Sequence, residues 1–321
     1  MSLIKAMKLS VLSLLLILLC SCGANRENAQ NGKLRVVTTL FPQYDFASTV
    51  GGERAQVTKL LPWGAESHTY DPSVGDIAKI ADADIFVYTG KNMESWAANI
   101  LDGTDNDSML IVDLSENLTL LETGAEHNNE SSTENEGEHV HDYDSHIWTN
   151  PENALVMVDN ILAAFCEKDS ENAQYYKSNA DTLKKEISAL SASLENLSES
   201  YDGRTLWFGG RFAFLYMFEE YGFNYKSPYI GCGEHSEPGI KTVTEIISQM
   251  KKDGVRYIFF EEMSDAKIAK SIAAETGAEL LLLHSCHNLS KDEAKAGMTY
   301  ISLMQQNIQN LKKAICEKGD N

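Results

Sequence analysis

The stretch that best indicates the fold is residues 68–90, HTYDPSVGDIAKIADADIFVYTG. Ser73 is a suitable N-cap for a helix that runs through Ile80. Asp84–Tyr88 is an apolar run of the length typical of a buried strand. Helices that alternate with such strands predict parallel βα units.

The same alternation is found on both sides of this stretch. Further strands are predicted at residues 33–40, 56–61, 109–114, 204–208, 224–230, 255–260 and 279–283. Further helices are predicted at residues 42–50, 94–101, 151–166, 238–252, 265–276 and 293–316, with another that ends at Tyr221.

One long helix is predicted between the two groups of βα units. Residues 171–200 carry Leu or Ile every three to four positions and contain no Gly or Pro. A helix of that length spans about 45 Å, and we interpret it as a rigid link, with a coiled-coil dimer seam as the alternative. The predicted fold class is α/β: two βα lobes with parallel-rich sheets, joined by one long rigid helix, with a cleft between the lobes.

The N-terminus reads as a targeting segment. Lys5 and Lys8 precede an apolar run of about 11 residues, which is too short for a membrane span of about 20 residues. The run ends in Leu19-Cys20-Ser21-Cys22-Gly23, which resembles the bacterial lipoprotein signal with Cys22 as the lipid-bearing residue. A plain secretory signal is the alternative.

These observations divide the chain into five parts. The predicted parts are a signal peptide (1–22), a flexible tether (23–32), an N-terminal βα lobe (33–167), a linking helix (168–202) and a C-terminal βα lobe (203–321).

The charge of the chain excludes one class of partner. The formal net charge is −20, and residues 92–167 contain no Lys or Arg. Nucleic-acid binding needs a basic surface, whereas a negative field raises the local concentration of cations. The composition therefore favours a cation-binding protein.

An acidic loop is predicted within the first lobe, at residues 122–144. It contains eight acidic residues and the histidines His127, His139 and His141, with little to bury. We interpret it as an auxiliary metal-capture loop, and a solvated insertion is the alternative.

Four other histidines lie in loops just beyond apolar runs: His68, His146, His235 and His284. Two come from each half of the chain, so they predict a metal site in the cleft. Four neutral imidazoles form a suitable shell for Zn²⁺, which accepts nitrogen ligands and prefers four of them.

Two segments carry a resemblance to a known family. Residues 68–90 and the segment Ser-His-Ile-Trp-Thr-Asn-Pro at 145–151 resemble the zinc/manganese substrate-binding lipoproteins of bacterial ABC importers. This is the cluster A-I group, which includes the zinc-uptake receptors. The likeness extends over nearly the whole mature chain and implies two βα lobes around a metal site.

The resemblance implies a ligand set. The first and second histidines of the family fall on His68 and His146. Manganese-type members have a Glu where His235 stands and an Asp where His284 stands, so both acids are replaced by imidazoles, which favours zinc over manganese. Zinc-type members have a third histidine where Arg211 stands. Arginine does not ligate a cation, so the zinc-type triad is not preserved.

Several residues near these positions are kept as alternatives. Arg211 is expected to pair with Glu237 or Glu261 beside the metal. If His284 is not a ligand, the replacements to test are His287, Glu237, Glu261 and Glu262.

Cysteine positions suggest a disulfide. Cys232 lies three residues before His235, and Cys286 lies two residues after His284. If those histidines share a metal, the two sulfurs are near each other, so a Cys232–Cys286 bridge is a hypothesis. Two buried free thiols are the alternative.

The function expected from the resemblance is capture rather than catalysis. The chain is expected to be a lipid-anchored, monomeric Zn²⁺ receptor that delivers its cargo to a membrane permease with its cytoplasmic ATPase. A manganese receptor and a metal-dependent surface adhesin are alternatives. A metallohydrolase with Glu261 or Glu262 as general base is disfavoured, because there is no His-Glu-x-x-His motif.

Overall fold

The computed structural model describes residues 32–123, 143–229 and 238–317. Residues from Leu34 onward cluster as one compact unit. The predicted signal peptide with Cys22 and residues 23–31 of the tether lie outside the described residues. In the part of the chain that is described, no helix is both long and apolar enough to cross a membrane.

The first half contains a four-stranded parallel sheet. Its strands are β1 (Leu34–Thr38), β2 (Ala55–Lys59), β3 (Ile85–Tyr88) and β4 (Leu110–Asp113). Their order in the sheet is β2-β1-β3-β4, and Val36 pairs with Val57 on one side and Ile85 on the other. Central strands covered on both faces are apolar throughout, as β3 is.

Short helices connect these strands, as predicted. They are α1 (Phe41–Gly51), α2 (Val74–Ala81) and α3 (Ala97–Asp102). The predicted cap of α2 is confirmed. The Ser73 side chain accepts a hydrogen bond from the Asp76 N–H, and the Asp76 carboxylate accepts one from the Ser73 N–H, which together form a capping box.

The second half contains two small parallel sheets. Strand β5 (Leu206–Trp207) pairs with β6 (Tyr225–Lys226), and β7 (Tyr257–Phe260) pairs with β8 (Glu279–Leu282). A parallel bridge between Phe208 and Phe259 joins the two pairs. The helices of this half are α6 (Leu215–Tyr221), α7 (Ile240–Asp253), α8 (Lys267–Thr276), α9 (Lys291–Ala296) and α10 (Tyr300–Cys316).

The predicted long helix is present. After α4 (Pro151–Lys168), helix α5 extends over Ala173–Glu199. Its Leu and Ile positions form one buried face, and α5 contacts α1, α4 and α10 along that face. The helix is therefore part of the core as well as a link.

The prediction of one closing helix over residues 293–316 is wrong. Helix α9 ends at Ala296, because Gly297 adopts a left-handed conformation with φ of 71°. The Thr299 side chain then caps the first turn of α10 by accepting a hydrogen bond from the Ser302 N–H. A glycine and a new N-cap therefore divide the segment in two.

Candidate metal centre

A cavity of about 530 Å³ lies where parallel strands end. Its lining follows the carboxyl ends of β2, β4, β5, β7 and β8, which is where α/β sheets usually bind ligands. The acidic, basic and histidine side chains in the lining are Glu66, His68, His146, Arg211, Glu261, Glu262, Asp265, Lys267 and His287. A second cavity of about 560 Å³ has no histidine in its lining, so chemistry rather than size identifies the first as the candidate site.

His68 lies in the loop between β2 and α2. Its ring centroid is 5.2 Å from that of His146. Burial, and then the neighbouring His146, lower the pKa of His68 to about 4. The imidazole is therefore neutral at pH 7, which is the form that binds a metal ion.

His146 is almost fully buried, and Asp144 orients it. The Asp144 Oδ1 accepts the backbone N–H of His146 at 2.8 Å and lies 3.1 Å from its Nδ1. A carboxylate that holds one ring nitrogen of a histidine fixes the orientation of the imidazole ring. The Tyr216 hydroxyl donates to the Asp144 carbonyl at 2.7 Å and fixes this loop.

His287 has an equivalent arrangement in the second half. Its Nδ1 lies 3.1 Å from Glu262 Oε1 and 2.5 Å from the Ser285 hydroxyl. Its Nε2 is buried and has no hydrogen-bond partner among the described residues. A buried imidazole nitrogen without a partner is costly, and a bound metal ion offsets that cost.

Glu262 supports this arrangement as an anion. Burial alone would raise its pKa, but the charge of His284 and the hydrogen bonds from His287 and Ser285 hold the pKa well below its usual range. The carboxylate also accepts the Ser285 N–H at 2.8 Å.

The structure places His284 outside the cavity lining. Its Nδ1 accepts the Cys286 N–H at 2.9 Å, and its Nε2 lies 3.5 Å from Glu293 Oε1. Burial lowers the pKa of His284, but Glu262 and Glu293 outweigh burial and raise it above the usual value. The Nε2 makes no hydrogen bond among the described residues, but it faces the Glu293 carboxylate and not the cavity, which does not suit the ligand role expected from the sequence.

The loop that carries His287 is tied to the first half of the chain. The Trp148 indole N–H donates to the Ser285 carbonyl at 2.7 Å, and the Phe41 N–H donates to the His287 carbonyl at 3.2 Å. The Asn288 amide donates to the carbonyls of Pro62 and Ala65 at 2.8 and 2.9 Å. The loops of His68, His146 and His287 are thus joined by direct hydrogen bonds.

Two charged residues of the second half complete the lining. Burial, and then the adjacent Glu262, raise the pKa of Glu261 to about 7. Arg211 lies on the short segment after β5, and its positive charge opposes the rise in the pKa of Glu261. Burial raises the pKa of Glu66, but the charge of His287, with smaller contributions from His68 and Arg211, holds it below its usual value. No ion pair of Arg211 with Glu261 is found among the described residues.

The remaining predicted site residues lie outside the described residues. They are His235 and Glu237 with Cys232, and the loop histidines His127, His139 and His141. Cys286 is buried and forms no disulfide in this structure, which favours the alternative of free thiols over the predicted bridge to Cys232. Within residues 32–123, 143–229 and 238–317, no three His, Cys, Asp or Glu side chains are spaced to hold a metal ion, so a site here needs side-chain movement or a further ligand.

Sequence reasoning missed the residues that orient the histidines. Asp144 and Ser285 each stand two residues before the histidine that they contact, and this Asp-x-His and Ser-x-His spacing is the signal that points to them. Asn288 has no such signal, since its partners Pro62 and Ala65 are more than 200 positions away.

Comparisons with known proteins agree with this fold. A family model described as ZnuA, zinc-uptake complex component A, periplasmic, matches residues 36–314. The zinc-binding lipoprotein AdcA of Streptococcus pneumoniae (strain ATCC BAA-255 / R6) is 32% identical over 317 residues, which is 96% of this chain. The chain spans only 62% of the length of that relative.

Two further comparisons extend over whole proteins or domains. The high-affinity zinc uptake system protein ZnuA of Bacillus subtilis (strain 168) is 30% identical over 97% of this chain and 98% of its own length. The Zn(II)-bound ZnuA-like domain of S. pneumoniae AdcA superposes with a TM-score of 0.74 at 29% identity, covering 89% of this chain and 100% of that domain. These matches confirm the predicted α/β fold, and the chain belongs to the ZnuA family of zinc-uptake components.

Proposed function

We propose that this protein captures Zn²⁺ in the cavity and hands it to a membrane importer. His68, His146 and His287 are the proposed ligands among the described residues, and His235 is the proposed fourth. His287 takes the place that the sequence assigned to His284, because His287 lines the cavity and His284 does not.

The observation that carries this proposal is the shared design of two histidines from different halves. In His146 and in His287, Nδ1 lies 3.1 Å from a carboxylate oxygen. In His287, Nε2 is buried and has no hydrogen-bond partner among the described residues. Histidines that bind metals are usually oriented in this way, through the nitrogen that does not bind the metal.

Zinc is the cargo that the donor set favours. Imidazole nitrogen suits zinc, whereas manganese favours oxygen ligands. The relatives AdcA and ZnuA are named as zinc-binding and zinc-uptake proteins, which supports the same assignment. Four protein ligands would leave no open position for a substrate water, so we infer a binding role without catalysis.

The location and partners follow from the family and the N-terminus. We infer that the chain is lipid-anchored at Cys22 on the outer side of the bacterial cell membrane. There it would deliver zinc to an ABC permease with its cytoplasmic ATPase. The name of the relative AdcA, a lipoprotein, supports the anchor.

The test is metal analysis of the purified chain together with a ligand variant. The chain is stripped with a chelator and titrated with Zn²⁺ and Mn²⁺ against a competing chromophoric chelator. We expect one tightly bound zinc and much weaker manganese. His68→Ala should weaken zinc binding by at least about 100-fold, whereas equal zinc affinity in His68→Ala and wild type would remove this cavity as the site.

A further inference from the structure

Arg211 is a positive charge in a cavity that is otherwise suited to a cation. Arg211 lines the cavity together with the carboxyl groups of Glu66, Glu261 and Glu262. A cation lining the site of a divalent ion opposes binding, because like charges repel strongly where solvent screening is weak. Its presence therefore needs an explanation.

The backbone that carries Arg211 is fixed. The Gly209 N–H donates to the Phe259 carbonyl at 2.8 Å, and the Ser227 hydroxyl donates to the Gly210 carbonyl at 2.8 Å. Gly209 also lies so close to helix α8 that a Cβ would be 2.4 Å from the Ala269 Cα. Arg211 thus starts from a rigid support at the end of β5.

The neighbouring carboxylates explain what the guanidinium stabilises. A Cβ on Gly210 would lie 3.7 Å from Glu261 Oε1, so the Glu261 carboxylate lies beside the backbone next to Arg211. Glu262 is adjacent to Glu261 in sequence, and both Glu262 and Glu66 line the same cavity. In the metal-free protein these carboxylates repel one another, and the Arg211 charge offsets that repulsion.

The other lining cation does not have this role. Lys267 is 2.7 Å from Asp265, and its side chain is 82% exposed. Its charge is paired and screened by solvent. Among the described lining residues, Arg211 is therefore the cation best placed to act on a bound ion.

We propose that Arg211 sets the affinity of the site: its charge stabilises the empty cavity and weakens the binding of a divalent cation. The proposal rests on the proposed function, because it assumes that the cavity takes such an ion. The benefit is release, since a site that holds zinc less tightly passes it on faster.

The test compares Arg211→Gln with Arg211→Lys. The glutamine variant should bind zinc about tenfold more tightly, through slower dissociation into excess chelator, while its chelator-stripped form melts at a lower temperature than wild type. The lysine variant keeps the charge and should resemble wild type in both. Lys270→Gln is the matched control: Lys270 is exposed, lies outside the lining and contacts the Asp265 carbonyl, so its loss should leave zinc affinity unchanged.

The visible spectrum of bound Co²⁺ adds a readout that would change if Arg211 acted by positioning the ligands. It should be the same in wild type and Arg211→Gln, because the ligands are unchanged. Unchanged or weaker zinc binding by Arg211→Gln would overturn the proposal. If that variant does not fold, Arg211→Met gives the same comparison. Failure of the proposed function looks different, since wild type itself would then bind no zinc.

Discussion

At the residue scale, two histidines that are three positions apart have different environments. In both, Nε2 is buried without a hydrogen-bond partner among the described residues. His287 lines the cavity, however, whereas the His284 Nε2 lies 3.5 Å from Glu293 Oε1. The left-handed backbone at Cys286, with φ of 62°, lies between them. This turn redirects the chain, so that the second histidine and not the first lines the cavity.

This difference predicts opposite results for two alanine variants. His287→Ala should weaken zinc binding by at least about 100-fold with little loss of stability, because it removes a ligand. His284→Ala should lower the melting temperature but change zinc affinity by less than about tenfold. Competition titration and thermal unfolding measure the two effects, and the reverse pattern would restore the ligand role of His284.

The cavity histidines show how far the sequence predicted the site. Motifs around His68 and His146 identified two residues that line the cavity, because their loops follow recognisable strands. The sequence could not decide between His284 and His287 as the ligand. The turn between them depends on a positive φ at Cys286, which a non-glycine residue rarely adopts. His235 lies outside the described residues and stays a prediction.

At the element scale, the loop 285–289 belongs to the second half of the chain but is hydrogen-bonded to the first half. Asn288 bonds to the carbonyls of Pro62 and Ala65 and accepts from Lys59 Nζ at 2.9 Å. The segment 62–65 leads directly to Glu66 and His68. One side chain therefore holds together two loops that carry proposed ligands.

Asn288→Ala should lower both stability and zinc affinity. Loss of these buried hydrogen bonds is expected to cost about 1–3 kcal/mol in the free energy of unfolding, and a looser His287 should weaken zinc binding by about tenfold. Asn106→Ala is the matched control, because Asn106 bonds to the carbonyls of Ala81 and Ala83 away from the cavity. Asn106→Ala should lower stability without changing zinc affinity. Equal zinc affinities in Asn106→Ala and Asn288→Ala would contradict the prediction.

The carboxyl group of Asp45 in helix α1 accepts a hydrogen bond from the first residue of helix α10. Asp45 accepts the Tyr300 N–H at 2.9 Å, and burial raises the pKa of Asp45 to about 6 despite this hydrogen bond. Because the folded protein holds this proton more tightly than the unfolded chain, its contribution to stability is complete below pH 4 and is lost as the pH rises through 6.

Asp45→Asn removes this titration and keeps an oxygen acceptor. Relative to the variant, wild type should lose about 1–2 kcal/mol of unfolding free energy between pH 4 and pH 7, after allowance for solvent screening. Urea denaturation at several pH values measures the difference. A difference that does not vary with pH would show that Asp45 is not the titrating group.

Elements were predicted best where local signals and burial agree. The cap at Ser73 and the apolar face of α5 placed two helices within two residues of their observed ends. Strands β5 and β6 have only two residues each, shorter than their apolar runs indicated, because strand ends depend on the partner strand and not on the run itself.

At the scale of the whole molecule, the negative charge acts on the rate of capture. The formal net charge of −20 attracts cations at long range. Dissolved salt screens this attraction. Raising NaCl from about 10 mM to about 500 mM should slow zinc association several-fold and change dissociation little. Stopped-flow measurement of both rates is the test, and a salt effect confined to dissociation would rule out this long-range attraction.

The contact between Trp148 and Ser285 has a practical consequence. The indole N–H is bonded to the loop of one proposed ligand, and the ring centroid lies 5.4 Å from that of His146. An ion bound by His146 and His287 would therefore change the electronic surroundings of the indole. The intrinsic tryptophan fluorescence should therefore change when zinc binds, and Trp148→Phe should abolish that change.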